Sequence, residues 1–224
     1  MGTSPSRRTS QPRQSRKSEA TSPSTRPPLR TSFLPAPDFP SRPIPVTVLP
    51  ARRWYRVHAA DTSPIVFRNR PHHRFSHPEN PFPILYLAAT LPTCLWEVFG
   101  DDLFKGGRAI SAARWDGCAL SEIEVPPLRC CAVSLAPTRE AMSVDKATLM
   151  AADLGHPQAW SLAIQRHPGG FDAIQYSSRF LDQPCLAVFD RESIRESLAS
   201  RTLGFLNDLD AAVEWLDQRN AALV

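Results

Sequence analysis

Five polar residues interrupt apolar or loop stretches of this chain, and their types define the chemistry they could share. Arg56 lies inside the strand-like WYRVH and Arg74 inside HHRFSHP. A guanidinium is always charged and is almost never buried without a partner, so Arg56 needs either a carboxylate or a phosphate held by two parallel hydrogen bonds. Arg74 is either a solvated loop arginine or the second cation of an anion site. Tyr86 is central in ILYLA. It is either a core tyrosine or a ring on which a planar, cationic heterocycle could stack. Glu97 stands between Trp96 and Val98 in LPTCLWEVF. A salt bridge or a solvent-facing helix position would account for it; a carboxylate there could also bond ribose hydroxyls and stabilise an oxocarbenium-like transition state. Ser178 follows a strand in FDAIQYSSR. It either satisfies local backbone or orients the carboxylate or a sugar hydroxyl.

The common nucleotide and hydrolase signatures do not occur: there is no Walker loop, GxGxxG, GxSxG or HExxH. Any enzyme built on this sequence therefore uses a sparser constellation. The cysteines (Cys94, Cys118, Cys130, Cys131 and Cys185) form no CxxC pair, and their odd number and the adjacent Cys130–Cys131 suit reduced thiols better than a disulfide framework. That usage points to a cytoplasmic protein. His72, His73 and His77 lie far from any paired cysteine, so no metal site is expected. No run approaches the roughly 18 apolar residues of a membrane span, and the N-terminus shows no apolar signal core.

The elements that must position these residues follow a change in composition near residue 54. Residues 1–53 hold eleven of the 23 prolines and ten basic against two acidic residues, a net of +8, whereas the remainder nets −4. The positive overall charge thus belongs to the tail, which argues against a basic nucleic-acid groove on the folded part. We expect 1–32 to be disordered, 33–50 to be an extended surface segment, and 54–224 to be the domain. Within it, strands are expected at WYRVH, ILYLA, 118–125, 129–135, 173–177 and 185–189, the last as the final strand. Residues 61–83 read as a long loop. Thr90 with Pro92 should start a helix running through Phe99, and further helices are expected over 138–153 and 157–165. Leu206, Leu209, Val213 and Leu216 recur at helical spacing near the end. The order of elements is α+β without regular βαβ alternation.

In this order, the five positions resemble the RES domain family, named for dispersed Arg, Glu and Ser. The matching stretches are WYRV (54–57), the RF of HHRFSHP (74–75), LYLAATLPTCLWE (85–97), and GGFDAIQYSSR with CLAVF (169–189). The resemblance covers roughly 54–190. The literal Arg-Glu-Ser strings at 191–193 and 195–197 are a coincidence of spelling and look like a solvated helix. The resemblance implies an ADP-ribosyltransferase-like mixed sheet with flanking helices. It also implies an NAD-degrading toxin of a bacterial toxin–antitoxin pair, paired with an Xre-type antitoxin and with NAD as substrate rather than a permanently bound cofactor. Carried over, Arg56 and Arg74 would hold the diphosphate and ribose, Tyr86 would stack on nicotinamide, Glu97 would stabilise the ribosyl cation and Ser178 would position substrate. One stretch departs from the pattern. Family members commonly show Arg–aromatic–Asn–x–x–Gly after the second arginine, whereas RFSHPENP has Ser76 at the Asn position and no glycine.

Three classes of function follow as expectations. The first is cleavage of the nicotinamide–ribose bond by water or phosphate, with ADP-ribosylation of a macromolecule as its variant. The second is a module that binds NAD or a partner without turnover. The third is salt-sensitive nucleic-acid binding driven by the tail alone. Assembly as a homo-oligomer or as a toxin–antitoxin complex is left open by the sequence.

Overall fold

The structure, a computed structural model, describes Met1 and residues 33–78, 83–105 and 107–224. The expectation for 1–32 therefore falls outside the described residues, apart from Met1, and so do Glu79, Asn80 and Pro81 of RFSHPENP. In chain order the elements are β1 (Thr47–Leu49), β2 (Arg52–Ala59), β3 (Ile84–Ala88), α1 (Leu91–Lys105), β4 (Ala109–Ile110), α2 (Ala112–Asp116), β5 (Cys118–Val125), β6 (Leu128–Ala132), α3 (Ala136–Met142), α4 (Lys146–Leu149), α5 (Gly155–Arg166), β7 (Ala173–Ser177), β8 (Pro184–Phe189), α6 (Glu192–Ser197), β9 (Ala199–Phe205), α7 (Asp210–Asp217) and β10 (Ala222–Leu223).

Eight strands form one mixed sheet in the order β1-β6-β7-β8-β3-β2-β5-β9, and β4 and β10 form a small parallel pair. Only β6 and β7 run parallel within the large sheet. Alternation of side chains gives the sheet two apolar faces. Ile84 and Ala88 of β3 join Leu95, Phe99, Trp160, Ile164 and Trp215 on the face covered by α1, α5 and α7. Leu85 and Leu87 face the other way with Trp54, Leu186, Val188 and Ile194, where Ile65 and Phe67 of the 60–83 segment complete the cover. A β-sheet that is apolar on both faces must be covered on both, which places the long loop and α6 opposite the main helical layer.

Several boundaries differ from the sequence expectation, each for a local reason. The helix begun by Thr90, whose hydroxyl accepts the Thr93 amide, runs to Lys105 rather than stopping at Phe99. The helix expected over 138–153 is two short ones, because Ser143 adopts left-handed backbone (φ 57°) and Asp145 caps a new start by accepting the Thr148 amide at 2.6 Å. CLAVF is not the last strand: β9 adds an exposed edge beside β5. The end helix buries Ala212, Trp215 and Leu216 while Val213 is exposed, so the apolar stripe is rotated from the expected one.

Residues 33–50 run along the domain with many side chains exposed and are anchored to it at a few points. Phe39 is 1% exposed and meets the rings of Trp160 and His167 edge-on or tilted at 5.2 and 5.1 Å, Ile44 is buried, and β1 pairs with β6. Two buried apolar side chains contribute several kcal/mol by area, on the order of 1.5–3 each, which offsets the ordering entropy that the prolines already reduce.

Candidate active site

Glu97 and Ser178 meet across the gap between α1 and the end of β7. Ser178 is 1% exposed, and its hydroxyl donates a 2.6 Å hydrogen bond to Glu97 Oε1 while accepting the Phe180 amide at 3.2 Å. The hydroxyl thus closes its own turn and also contacts the Glu97 carboxylate. Glu97 is open to solvent, yet enough protein surrounds it that burial raises its carboxyl above the usual range. The Ser178 hydrogen bond and the charges of Arg74 and Arg179 act in the opposite direction and favour the carboxylate.

Phe180 explains how this contact is held. Its ring stacks on Trp96 (5.4 Å) and Phe104 (5.7 Å), directly over Gly100 of α1, where a Cβ would come within 2.5 Å of the ring. Glycine is unfavourable in a helix interior by about 1 kcal/mol relative to alanine. Here the missing side chain lets the post-β7 turn dock onto the helix and brings Ser178 to Glu97.

Arg74 is anchored by the helix break. Its Nη1 donates to the carbonyls of Leu149 (3.3 Å), the last residue of α4, and Ala151 (3.2 Å), just past it. Had the expected helix continued to Asp153, the Leu149 carbonyl would have been taken by a backbone amide. Burial lowers the Arg74 pKa, and Tyr176, Glu97 and Tyr86 lie close enough to counter that shift. The arginine thus stands beside Glu97 with its charge only partly neutralised.

Tyr86 is half-buried on β3. Its hydroxyl accepts the Phe75 amide at 3.0 Å and shares a hydrogen bond with Ser76 Oγ at 3.1 Å, while His73 packs edge-on at 5.2 Å. Burial pushes the phenol up to about 12, so it remains protonated at neutral pH. The departure at Ser76 is thereby accounted for structurally: a fully buried serine completes the clamp on the tyrosine hydroxyl. Helix α5 holds this loop in place through Gln158 Nε2, which donates to the Pro71 and His73 carbonyls at 2.6 and 3.0 Å.

Arg56 stands apart from this group. Alternation along β2 sets it with Trp54 and His58, and its Nη1 donates to the carbonyls of Pro64 and Val66 at 2.5 and 3.2 Å. No carboxylate among the described residues pairs with it, and burial brings its pKa down to about 10. None of its hydrogen bonds reaches Tyr86, Glu97 or Ser178. Its charge is felt by His73, which is the residue that touches Tyr86.

The structure therefore brings Glu97, Ser178, Arg74 and Tyr86 into one neighbourhood and leaves Arg56 at its margin. His73, Tyr176, Phe180 and Gly100 belong to the same neighbourhood, although the sequence reading assigned them no role. Tyr176 packs edge-on against Phe75 at 5.0 Å, and its charge-sensitive neighbours include Glu97, Tyr86 and Arg74. Adjacency to Arg74 and Ser178 was the available signal for His73 and Tyr176; nothing in the sequence marked Gly100. Among the described residues no group of three or more His, Cys, Asp or Glu is placed to hold a metal ion, and no helix is long and apolar enough to cross a membrane. All five cysteines are free thiols.

A mixed sheet with this carboxylate–serine contact at one end places the chain in a known fold class. The crystal structure of the M. tuberculosis MbcT–MbcA toxin–antitoxin complex contains a chain that superposes with a TM-score of 0.59 at 17% identity, covering 79% of this chain and 93% of that one. No curated relative matches. Residues 53–206 match the RES domain family model, and the chain belongs to that family. The matched span contains all five positions singled out in the sequence.

Proposed function

We propose that this protein cleaves the nicotinamide–ribose bond of NAD and acts as the toxin of a toxin–antitoxin pair. The observation that carries the reading is the Glu97 carboxylate, held by Ser178 at 2.6 Å, open to solvent and beside the cation of Arg74. Nicotinamide is already a good leaving group, so the protein's task is orientation and charge stabilisation more than proton donation. The C1′–N bond breaks with its electron pair moving to the nicotinamide nitrogen. The ribosyl cation that develops is stabilised by Glu97, and an oxygen of water or phosphate then attacks C1′ and releases its proton to solvent.

In this scheme Tyr86 offers its ring to the nicotinamide, and its hydroxyl is unavailable as an acid because the 73–76 loop holds it. Arg74 supplies positive charge to the diphosphate. Arg56 would take part only after exchanging its loop carbonyls for phosphate oxygens. The toxin role, a cytoplasmic site of action and an antitoxin partner of Xre type are supported by family membership and by the likeness to a toxin chain crystallised with its antitoxin.

Incubation of the purified chain with NAD tests the reading. Nicotinamide should appear in step with NAD loss, and ADP-ribose or its 1″-phosphate should distinguish water from phosphate as acceptor. Transfer of label to protein or nucleic acid would replace cleavage with ADP-ribosylation. Binding of NAD without any turnover, in protein free of other chains, would replace it with a non-catalytic module.

A further inference from the structure

A groove among the described residues lies apart from the Glu97–Ser178 contact and contains neither of those residues. It encloses about 450 Å³ between α1 and the segment after α7 and is lined chiefly by Trp96, Phe104, Arg108, Gln218, Arg219 and Asn220. Its composition is unusual for a surface hollow. Phe104 lies beside Trp96 at 5.5 Å and parallel to Phe180 at 5.7 Å, yet it is 72% exposed, so much of its ring is open to solvent. The Arg219 guanidinium lies over the rings of Trp96 (5.3 Å) and Trp215 (4.7 Å). Its Nη1 donates to the Trp215 carbonyl at 2.8 Å and to Gln218 Oε1 at 3.3 Å, but Nε has no hydrogen-bond partner, and neither has Trp96 Nε1.

No carboxylate among the described residues pairs with Arg219, whose pKa is lowered by burial alone. Arg108 faces the same groove, exposed and with no side-chain partner among the described residues. The Asn220 backbone amide bonds the Asp217 carbonyl at 3.0 Å, while its side-chain amide, which faces the groove, makes no hydrogen bond among the described residues. Arg108 and Asn220 both hold left-handed backbone (φ 63° and 48°). For a non-glycine residue other than Asn this costs about 1–2 kcal/mol, so the fold keeps Arg108 in place against a local penalty.

Two unneutralised guanidiniums, one largely open aromatic ring and a free side-chain amide in a hollow of this size suit a flat heterocycle that carries an anionic group. An aromatic face stacks any base, an amide can pair with a base edge, and guanidinium binds phosphate. We infer that this groove is a binding site for a nucleoside monophosphate, with the base on Phe104 and the phosphate between Arg108 and Arg219. One wall, residues 218–220, lies outside the span matched by the RES family, and the other, with Trp96, Phe104 and Arg108, lies inside it. The inference does not rest on the NAD-cleavage reading.

Titration of the full chain with AMP, followed by calorimetry and by the fluorescence of Trp96 and Trp215, tests it. AMP should bind saturably, and both adenosine and ribose 5-phosphate should bind at least about tenfold more weakly, since each lacks one half of the recognition. Arg108→Ala and Phe104→Ala remove exposed side chains and should each weaken AMP by about fivefold or more. The site is overturned by any of three results: no AMP binding, ribose 5-phosphate binding as tightly as AMP, or AMP binding that is lost in Arg74→Ala but kept in Arg108→Ala.

Discussion

Ser178 donates its hydroxyl to Glu97 Oε1 at 2.6 Å across 81 residues of chain, and the serine is itself fixed by the turn that docks Phe180 on Gly100. A buried donor committed to one oxygen of an otherwise burial-disfavoured carboxylate favours its ionised form, as do the Arg179 backbone amide and the charges of Arg74 and Arg179.

Removing the carboxylate should remove the reaction. Glu97→Gln keeps the size and a hydrogen bond to Ser178 but no negative charge, and the loss of a preorganised electrostatic group of this kind is on the order of 100- to 1000-fold in rate. Nicotinamide release measures it. Because burial raises the Glu97 pKa in the folded state, stability linked to this group is present at low pH and lost as pH rises through the raised value. The Gln variant should therefore melt at a higher temperature than the parent near neutral pH, and the gap should close in acid.

Ser178→Ala should move the pH profile. The hydrogen bond lowers the Glu97 pKa, so its loss raises that pKa further, and the acid limb of NAD cleavage should shift to higher pH. A uniform loss of rate with an unmoved limb would show instead that Ser178 acts only through its turn.

Gly100→Ala should destabilise the fold although alanine is the better helix former. The new Cβ meets the Phe180 ring at 2.5 Å, and moving that ring disturbs its contacts with both Trp96 and Phe104. Overpacking of this kind costs about 1–3 kcal/mol. Thermal unfolding should show the loss, and trimming the ring with Phe180→Leu in the same chain should restore much of it.

The loop clamp on Tyr86 separates ring from hydroxyl. Tyr86→Phe and Ser76→Ala each break the contact at 3.1 Å and should raise KM for NAD by a few-fold with little change in kcat. Tyr86→Ala, which removes the stacking face, should raise it by tenfold or more.

His73 supplies an acid-side signature. Burial, with the charges of His72, Arg70 and Arg56, brings its pKa from 6.5 down to about 4. The unfolded chain therefore binds the extra proton between those values, and the stability from neutral His73 is present above about 6.5 and lost as pH falls toward 4. Stability measured against pH should be flatter over that window in His73→Asn than in the parent.

The sequence by itself determined the strands and the identity of the reactive groups. ILYLA and CLAVF are compact apolar runs and CALSEIEV (118–125) ends in apolar–polar alternation, and all three are strands in the fold. Thr90 and Pro92 carried the start of α1 in their own backbone chemistry. Glu97, Arg74 and Tyr86 were visible because polar groups within or beside apolar segments need an explanation. What tertiary structure alone decided concerns contacts between residues distant in the chain. The break at Ser143–Asp145 freed carbonyls for Arg74, the packing of Phe39 anchored 33–50 to the domain, and Gly100 opened the seat for Phe180. Arg56 shows the same limit from the other side. Its type announced an anion or a carboxylate, and the fold gave its guanidinium two loop carbonyls instead. Local periodicity and propensity are written into neighbours a few residues apart, whereas the partner of a buried polar group is selected by which distant segments the sheet order brings beside it.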